Sequence, residues 1–184
     1  LSDPAKPEFV SRIKLPRLYG LSWDMWDVDV RGRYAYVCDT YNGFFVVDVS
    51  RPAQPEALAW HRLAVRAADG LPDPVGGFAV GDGVVYLAGI FSDLHVIDAA
   101  GLTPSLDPER DHPPVIAPRN ENRDSRFAIW PSEGQVHGVA LDPSENTAYL
   151  ASGMAGIEVL RLDESPVRLA KHEVAGIVFD VAVY

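Results

Sequence analysis

The feature that most limits the fold of this chain is an internal repeat of roughly 50 residues. Residues 26–50, 76–100 and 137–163 share one order of parts. Each has a short apolar strand, a polar turn, a strand that carries tyrosine, a second turn and a third apolar strand. Strands rich in Val, Tyr, Phe and Ile, separated by Gly, Asp and Asn, are typical of antiparallel hairpins. The repeat therefore predicts an all-β chain.

A fourth strand is predicted in each repeat after a proline turn. It begins at Pro55, Pro114 and Pro166, and a similar element begins at Pro7. Four antiparallel strands in each repeat of ~40–50 residues are the signature of a β-propeller blade. We therefore predict that 1–184 is a single β-propeller portion with three complete blades, at about 26–63, 76–118 and 136–174.

Both ends of the chain are predicted to lie in the middle of a blade. The strand from Pro7 corresponds to strand four of a preceding blade, and 179–184 corresponds to strand one of a following blade. An open wedge of blades leaves two faces unpacked. The expectation is an internal part of a longer propeller, or alternatively a wedge that a partner completes. Within each blade, strand one is expected to be buried and strand four exposed, including His61 and His172.

Two insertions interrupt the regular blades, at 66–75 and at 101–134. Insertions in repeat folds often form the binding surface. The larger one sets aromatic residues in a polar loop, and loop aromatics with arginine are common interface anchors. Arg126, Phe127 and Trp130 are therefore the candidate residues for binding a partner. The alternative is that Phe127 and Trp130 fold back onto the blade edge.

Sites in propellers lie at the mouth of the central channel, near the start of the innermost strands. The repeat register places Asp27, Gly77, Gly138 and Asp180 at one inner position, and Trp26, Gly76, His137 and Phe179 at the position beside it. Asp27, His137 and Asp180 are the candidate ligands for a divalent metal. The alternative is a set of polar residues that solvate the channel.

Cysteine and tryptophan are two further residue types that could form a reactive or binding site. Cys38 lies in an apolar run beside Asp39, which favours a small buried side chain over a reactive thiol. Trp23 and Trp26 precede a first strand, where we expect core packing between blades. The alternative is a wall for an aromatic or sugar ligand.

Composition excludes several partner classes. The formal net charge is -10 and the pI is about 4.8, which counts against nucleic acid and against anionic membrane surfaces. No stretch is long and apolar enough to predict a membrane helix. We therefore expect a protein partner or the remaining blades of a longer chain, without nucleic acid and without direct membrane insertion.

The first repeat resembles the LVIVD repeat. The shared parts are the strand at Asp27, the strand from Tyr34 to Val37, the strand from Gly43 to Ser50, and the turn at Pro52 and Pro55. The resemblance is looser at 137–163 and at 76–100. It implies a β-propeller in a bacterial or archaeal protein that is exported or displayed at the cell surface. It carries no catalytic residue onto this sequence.

Three functions remain open from the sequence. The leading one is a non-catalytic scaffold or binding module that docks a protein partner through its loops. The second is an enzyme with a divalent metal in the central channel at Asp27, His137 and Asp180. The third is a carbohydrate or small-ligand binder that uses Trp23 and Trp26. No nucleophile elbow, zinc-protease motif or phosphate-binding loop is present, so the sequence leans away from an enzyme.

Overall fold

The structure is a computed structural model that describes residues 5–81, 84–91, 93–98, 119–122, 125–126, 128–163 and 166–184. These residues form strands and turns and contain no helix. Accordingly, no apolar helix long enough to span a membrane is found within these ranges. The strands, in chain order, are β1 Met25–Arg31, β2 Tyr34–Asp39, β3 Gly43–Asp48, β4 Glu56–His61, β5 Val75–Val80, β6 Val84–Gly89, β7 Asp93–Asp98, β8 Arg119–Asn122, β9 Ser125–Arg126, β10 Ala128–Trp130, β11 Gly138–Asp142, β12 Thr147–Ala151, β13 Ile157–Arg161 and β14 Val167–His172.

Three antiparallel sheets of four strands account for most of the described chain. Their strand orders are β1-β2-β3-β4, β5-β6-β7-β10 and β11-β12-β13-β14. We call these sheets blade 1, blade 2 and blade 3. A separate two-stranded ribbon joins β8 and β9. The all-β propeller fold and its three four-stranded blades are thus confirmed.

The blades pack face to face, and equivalent positions in each blade point the same way. Blade 1 turns Tyr36, Cys38, Phe44 and Val46 toward blade 2, where the ring of Phe44 meets the edge of Phe78 at 5.2 Å between centroids. The corresponding residues of blade 2 are Tyr86, Ala88, Leu94 and Val96, and they pack against blade 3. Alternation along each strand gives every blade two apolar faces, so the blades stack in series.

The outer face of blade 1 is covered in part by the N-terminal segment. Leu15 is buried against a face formed by Ala35, Phe45, Val47, Ala57 and Trp60. The strand expected from Pro7 is not formed, because 7–17 makes no strand pairing within the described chain. The segment instead lies across the sheet face, where Ser11 Oγ donates a hydrogen bond to the carbonyl of Pro52.

The fourth strand of blade 2 is not the one that the sequence indicated. β10 pairs with β7 through Ala128–Val96, Ile129–His95 and Trp130–Leu94. The fourth strand of blade 2 therefore comes from within the predicted insertion 101–134. The segment from Pro114 to 118 lies outside the described residues. Proline turns occur at several points in this region, and only tertiary pairing decides which following segment joins the sheet.

The expected burial gradient across blade 1 is reversed. In β4, Ala57 to His61 are buried, so the expectation of an exposed His61 is wrong. His172 in β14 is exposed, as expected. In the innermost strand β1, by contrast, Val28 is 61% and Val30 is 60% exposed. The reason is that the N-terminal segment and blade 2 enclose β4, whereas no described neighbour covers these side chains of β1.

The last residues occupy the place of an innermost strand without forming a sheet. Val178 makes an isolated antiparallel bridge with Gly153, and 179–184 carries no strand pairing among the described residues. The backbone of Phe179 nevertheless runs against Gly138, the first residue of β11. The segment therefore lies beside the innermost strand of blade 3, as strand one of a following blade would.

Candidate functional site

The innermost strands of the three blades meet at a cavity of about 260 Å³. We call it the axial cavity. Its wall includes all eight residues that the repeat register assigned to the inner ring: Trp26, Asp27, Gly76, Gly77, His137, Gly138, Phe179 and Asp180. Phe78 and Val139 complete the lining. The structure therefore brings together residues from four separate parts of the chain at the point where a propeller channel opens.

Close approach of the inner strands depends on glycine at the wall. A Cβ atom on Gly76 would lie 2.6 Å from the carbonyl oxygen of His137 and 2.8 Å from its Cα atom. Both distances are far inside van der Waals contact and both involve backbone atoms. Any larger residue at this position would push β5 away from 137–138, so the absence of a side chain fixes the width of the cavity.

Two carboxylates line the axial cavity in equivalent settings. Asp27 Oδ1 accepts a hydrogen bond from the backbone N–H of Val28 at 2.7 Å, and Asp180 Oδ1 accepts one from Val181 at 2.8 Å. Burial raises the pKa of the Asp27 carboxyl above its usual value, and the negative charge of Asp180 adds to the rise. The two side chains are therefore near enough to repel each other in the cavity.

Apart from Val139, the remaining side chains of the cavity are aromatic. The imidazole of His137 meets the ring of Phe179 edge-on, with centroids 4.8 Å apart and planes at 61°. Burial lowers the pKa of His137 and so favours its uncharged imidazole. Trp26 stands at the rim and is largely exposed. The cavity thus combines negative charge with aromatic walls, and its lining includes no compensating cation from the part of the chain that the structure describes.

The three predicted metal ligands lie at the axial cavity. Asp27, His137 and Asp180 line one cavity, but no group of three or more His, Cys, Asp or Glu side chains in the described ranges is arranged to hold a metal ion. One oxygen of each carboxylate is engaged by its own backbone, and the imidazole packs against Phe179. The geometry of the described residues therefore gives no support to a divalent metal at this place, and the metal site stays a prediction.

The two tryptophans before β1 do not form a common wall. Trp23 Nε1 donates a hydrogen bond to the carbonyl of Leu15 at 2.8 Å, and its ring lies beside the cationic ends of Lys14 and Arg17. Trp26 lines the axial cavity. Both are substantially exposed, so the expectation that they form core between blades is wrong. Trp23 instead anchors the N-terminal segment.

The candidate partner-binding residues fall partly outside the described chain. Phe127 is not among the described residues, and Arg126 belongs to the short strand β9. Trp130 lies in β10, is half-buried and packs against the apolar core between blade 2 and blade 3. For Trp130 the structure shows the second arrangement considered, in which the side chain folds back onto the blade.

Cys38 is fully buried, as expected for a small apolar side chain. Burial raises the pKa of its thiol to about 12, and the charge of Asp27 contributes to the rise. Such a thiol is not a nucleophile at neutral pH. The sequence reading was correct here because an aspartate neighbour cannot stabilise a thiolate.

Sequence reasoning missed a buried charged residue, Glu158. Its carboxylate is fully buried between blade 2 and blade 3. Oε2 accepts hydrogen bonds from Ser132 Oγ and from Ser152 Oγ, the latter at 2.7 Å, and Oε1 accepts one from Arg168 at 3.1 Å. The repeat register could have indicated that Glu158 is buried, because it aligns Glu158 with Phe45 and His95, which are buried in blades 1 and 2.

Comparison with known proteins finds a family match for blade 1 and a structural match for the fold. Residues 24–58 match the family model of the LVIVD repeat. No curated protein matches the chain. A solved structure of PorZ from Porphyromonas gingivalis, described as an essential bacterial surface component of the type-IX secretion system, superposes with a TM-score of 0.53.

The similarity to PorZ concerns the fold alone. Sequence identity is 15%, and the match covers 81% of this chain but only 21% of the PorZ chain. This chain therefore spans about a fifth of the length of that structure. The match and the three stacked sheets give the same architecture. The chain carries an LVIVD repeat at 24–58 as the first blade of a β-propeller array.

Proposed function

We propose that this chain is a non-catalytic propeller scaffold in a bacterial surface assembly, and that it works by docking another β-sheet surface. The docked surface belongs either to a protein partner or to further blades of a longer chain. The observation that carries the proposal is the pair of outer faces of the blade stack. Both repeat the apolar pattern that the two internal interfaces bury.

The outer face of blade 3 shows this pattern most directly. Tyr149, Ile157 and Val159 occupy the positions of Tyr36, Phe44 and Val46 in blade 1. Their counterparts in blades 1 and 2 are buried in the cores between blades, whereas these three side chains are only half-buried. An apolar face of this kind is stabilised when a further sheet covers it.

The outer face of blade 1 is incompletely covered. Between the N-terminal segment and the sheet lies a cavity of about 500 Å³, whose lining includes Ala35, Val37, Val47 and Val49. In blade 2 the positions of Ala35, Val37 and Val47 are taken by Val85, Leu87 and Ile97, which are fully buried. Blade 1 therefore offers the same type of surface, with the N-terminal segment lying across part of it.

The proposal includes an exported location, which the repeat family and the fold support. LVIVD repeats and the PorZ-like fold support an exported protein, in the periplasm or at the cell surface. A single buried cysteine is compatible with that location, since no disulfide has to form. Fractionation of the native cells would test it, because recovery of the protein only in the cytoplasm would contradict this part of the proposal.

Site-specific photo-cross-linking would test the docking surface. A photoreactive amino acid at Val159 is expected to cross-link in native cells, whereas the same amino acid at Met154 is expected not to. Met154 is the matched control because it lies in the neighbouring turn and is highly exposed. Mass spectrometry then identifies the cross-linked peptide and its parent protein.

Each outcome has a defined meaning. A cross-link to a sequence of the same polypeptide would identify further blades as the docked surface, and the intact mass of the natural protein would exceed 20.1 kDa. A cross-link to a different polypeptide would identify a partner. Equal labelling at Val159 and Met154, or none at Val159, would show that the outer face of blade 3 faces solvent and would overturn the proposal.

A further inference from the structure

We propose that the axial cavity binds an organic monocation, namely a primary ammonium or guanidinium group, between its two carboxylates and its aromatic rings. This site is separate from the docking faces of the blade stack and does not depend on them. The ligand chemistry can be supplied by a small amine or by a lysine or arginine side chain of another polypeptide. Three properties of the cavity favour such a ligand: its charge, its aromatic walls and its size.

The charge of the cavity favours a cation. Asp27 and Asp180 contribute two carboxylates, and no Lys or Arg among the described residues lines the cavity. Burial of His137 lowers its pKa and so disfavours the charged imidazolium that would offset the two carboxylates. Each carboxylate has one oxygen held by a backbone N–H and leaves the other oxygen as an acceptor. Two like charges in a partly desolvated site are stabilised by a cation placed between them.

The walls favour an organic cation over a simple ion. Trp26 stands at the rim, and Phe179 lies within the wall against the ring of His137. Aromatic faces attract ammonium and guanidinium groups through the ring quadrupole. A hydrated divalent metal would need several oxygen or nitrogen ligands at short distance, and the described residues do not provide such a group.

The size of the cavity restricts the ligand to a small group. Pockets for drug-sized molecules have volumes of about 300–1,000 Å³, whereas the axial cavity holds about 260 Å³. This volume suits one alkyl chain with a charged end. The glycines at 76, 77 and 138 contribute only backbone atoms to the wall.

The decisive experiment is a titration of the purified protein with n-butylguanidinium, followed by calorimetry and by the indole N–H signal of Trp26 in NMR. The Trp26 signal is assigned from its disappearance in Trp26→Phe. We expect a dissociation constant of about 1 mM, typical for a ligand of this size. Neutral n-pentanol is expected to bind at least tenfold more weakly. Added salt should weaken the binding of n-butylguanidinium.

Variants assign the site. Asp27→Asn and Asp180→Asn are each expected to weaken binding of n-butylguanidinium about tenfold. Asp163→Asn removes the same charge from an exposed pair with Arg161 and should change binding less than twofold. Melting curves of all three variants check folding. Retained affinity in both cavity variants, equal binding of n-pentanol, or no shift of the Trp26 signal would each overturn the proposal.

A second arm separates the two sources of the cation. The pentapeptide Gly-Gly-Arg-Gly-Gly is titrated under the same conditions as n-butylguanidinium. Binding of the peptide at least tenfold tighter than that of the free cation would assign the cavity to a side chain of another polypeptide. Tighter binding of the free cation would assign it to a small amine. Failure of both probes to bind would overturn the proposal even if the docking faces prove correct.

Discussion

The hydroxyl of Ser152 donates a hydrogen bond of 2.7 Å to Oε2 of Glu158, a carboxylate that is fully buried between blade 2 and blade 3. Ser132, which follows the last strand of blade 2, donates to the same oxygen. Arg168 reaches Oε1 from β14 at 3.1 Å. One charged group therefore ties together the strand ends of two neighbouring blades.

Removal of this carboxylate should be costly. We expect Glu158→Ala to lower the free energy of unfolding by about 3 kcal/mol, because two hydroxyls and a guanidinium lose their shared acceptor. Glu133→Ala is the control. Glu133 also binds Arg168 and Lys171 but is exposed, so its removal should lower the free energy of unfolding much less than removal of Glu158. Chemical denaturation measures both, and equal costs would show that burial of Glu158 is unimportant.

Gly76 should tolerate no side chain. We expect Gly76→Ala to lower the free energy of unfolding by about 1–3 kcal/mol, since its Cβ atom would lie 2.6 Å from the His137 carbonyl oxygen. Gly81→Ala is the control at the other end of the same inner hairpin. There a Cβ atom would meet only ordinary contacts, the nearest at 3.4 Å to the ring of Tyr86. Similar melting temperatures for Gly76→Ala and the native protein would contradict the close approach.

Asp93 takes the role that glycine has in the other two blades. The third strand begins with a residue of positive φ in blade 1, where Gly43 has φ of +105°, and in blade 2, where Asp93 has φ of +72°. The aligned residue of blade 3 is Gly156, which lies in the turn just before β13 and has φ of +91°. Asp93 Oδ1 also accepts a hydrogen bond from the backbone N–H of Ser132 at 3.1 Å. We expect Asp93→Ala to cost about 1–2 kcal/mol in unfolding free energy.

Asp93→Asn is the matched variant, because asparagine accepts the same backbone conformation and keeps an oxygen for Ser132. It should cost less than about 0.5 kcal/mol. Denaturation in urea distinguishes the two substitutions. Equal losses for the asparagine and alanine variants would show that the charge of Asp93, rather than its backbone conformation and hydrogen bond, stabilises blade 2.

Cys38 should resist alkylation in the native protein. With the thiol pKa raised to about 12, iodoacetamide at pH 8 is expected to label Cys38 only after unfolding. The raised pKa also means that the unfolded thiol ionises first as the pH increases. Stability should therefore fall between pH 8 and pH 10, and about 1 kcal/mol of that fall should be absent in Cys38→Ala. Rapid labelling of the folded protein would contradict this burial.

The repeat predicted most of the architecture because its signal is local. Hairpins such as β2–β3 and β12–β13 join neighbouring segments, and their alternating apolar residues point to the same faces in every blade. The repeat register also predicted which residues line the axial cavity, since equivalent positions in successive inner strands meet at one axis. Residues 27, 137 and 180 were grouped correctly for this reason.

Other features depended on long-range packing. The choice of Ala128–Trp130 as the fourth strand of blade 2 joins segments about 30 residues apart, and a proline turn at Pro114 offered an equal local signal. Burial of His61 depends on what covers β4 from outside the repeat. The orientation of Asp27 and Asp180 toward their own backbone follows from side-chain geometry, and spacing alone carries no information on it.

The stacking of the blades in series also determines the order in which they can unfold. Blade 2 is the one blade with described sheets on both sides, and both apolar clusters between blades include it. In a nearest-neighbour array, a terminal unit can melt at the cost of a single interface, whereas an internal unit needs two to break. Amide hydrogens of β6, at the centre of both clusters, should therefore exchange with solvent more slowly than those of β2 and β12. On its own, without a docked surface, the 184-residue chain should therefore unfold inward from blade 1 and blade 3 while blade 2 remains folded.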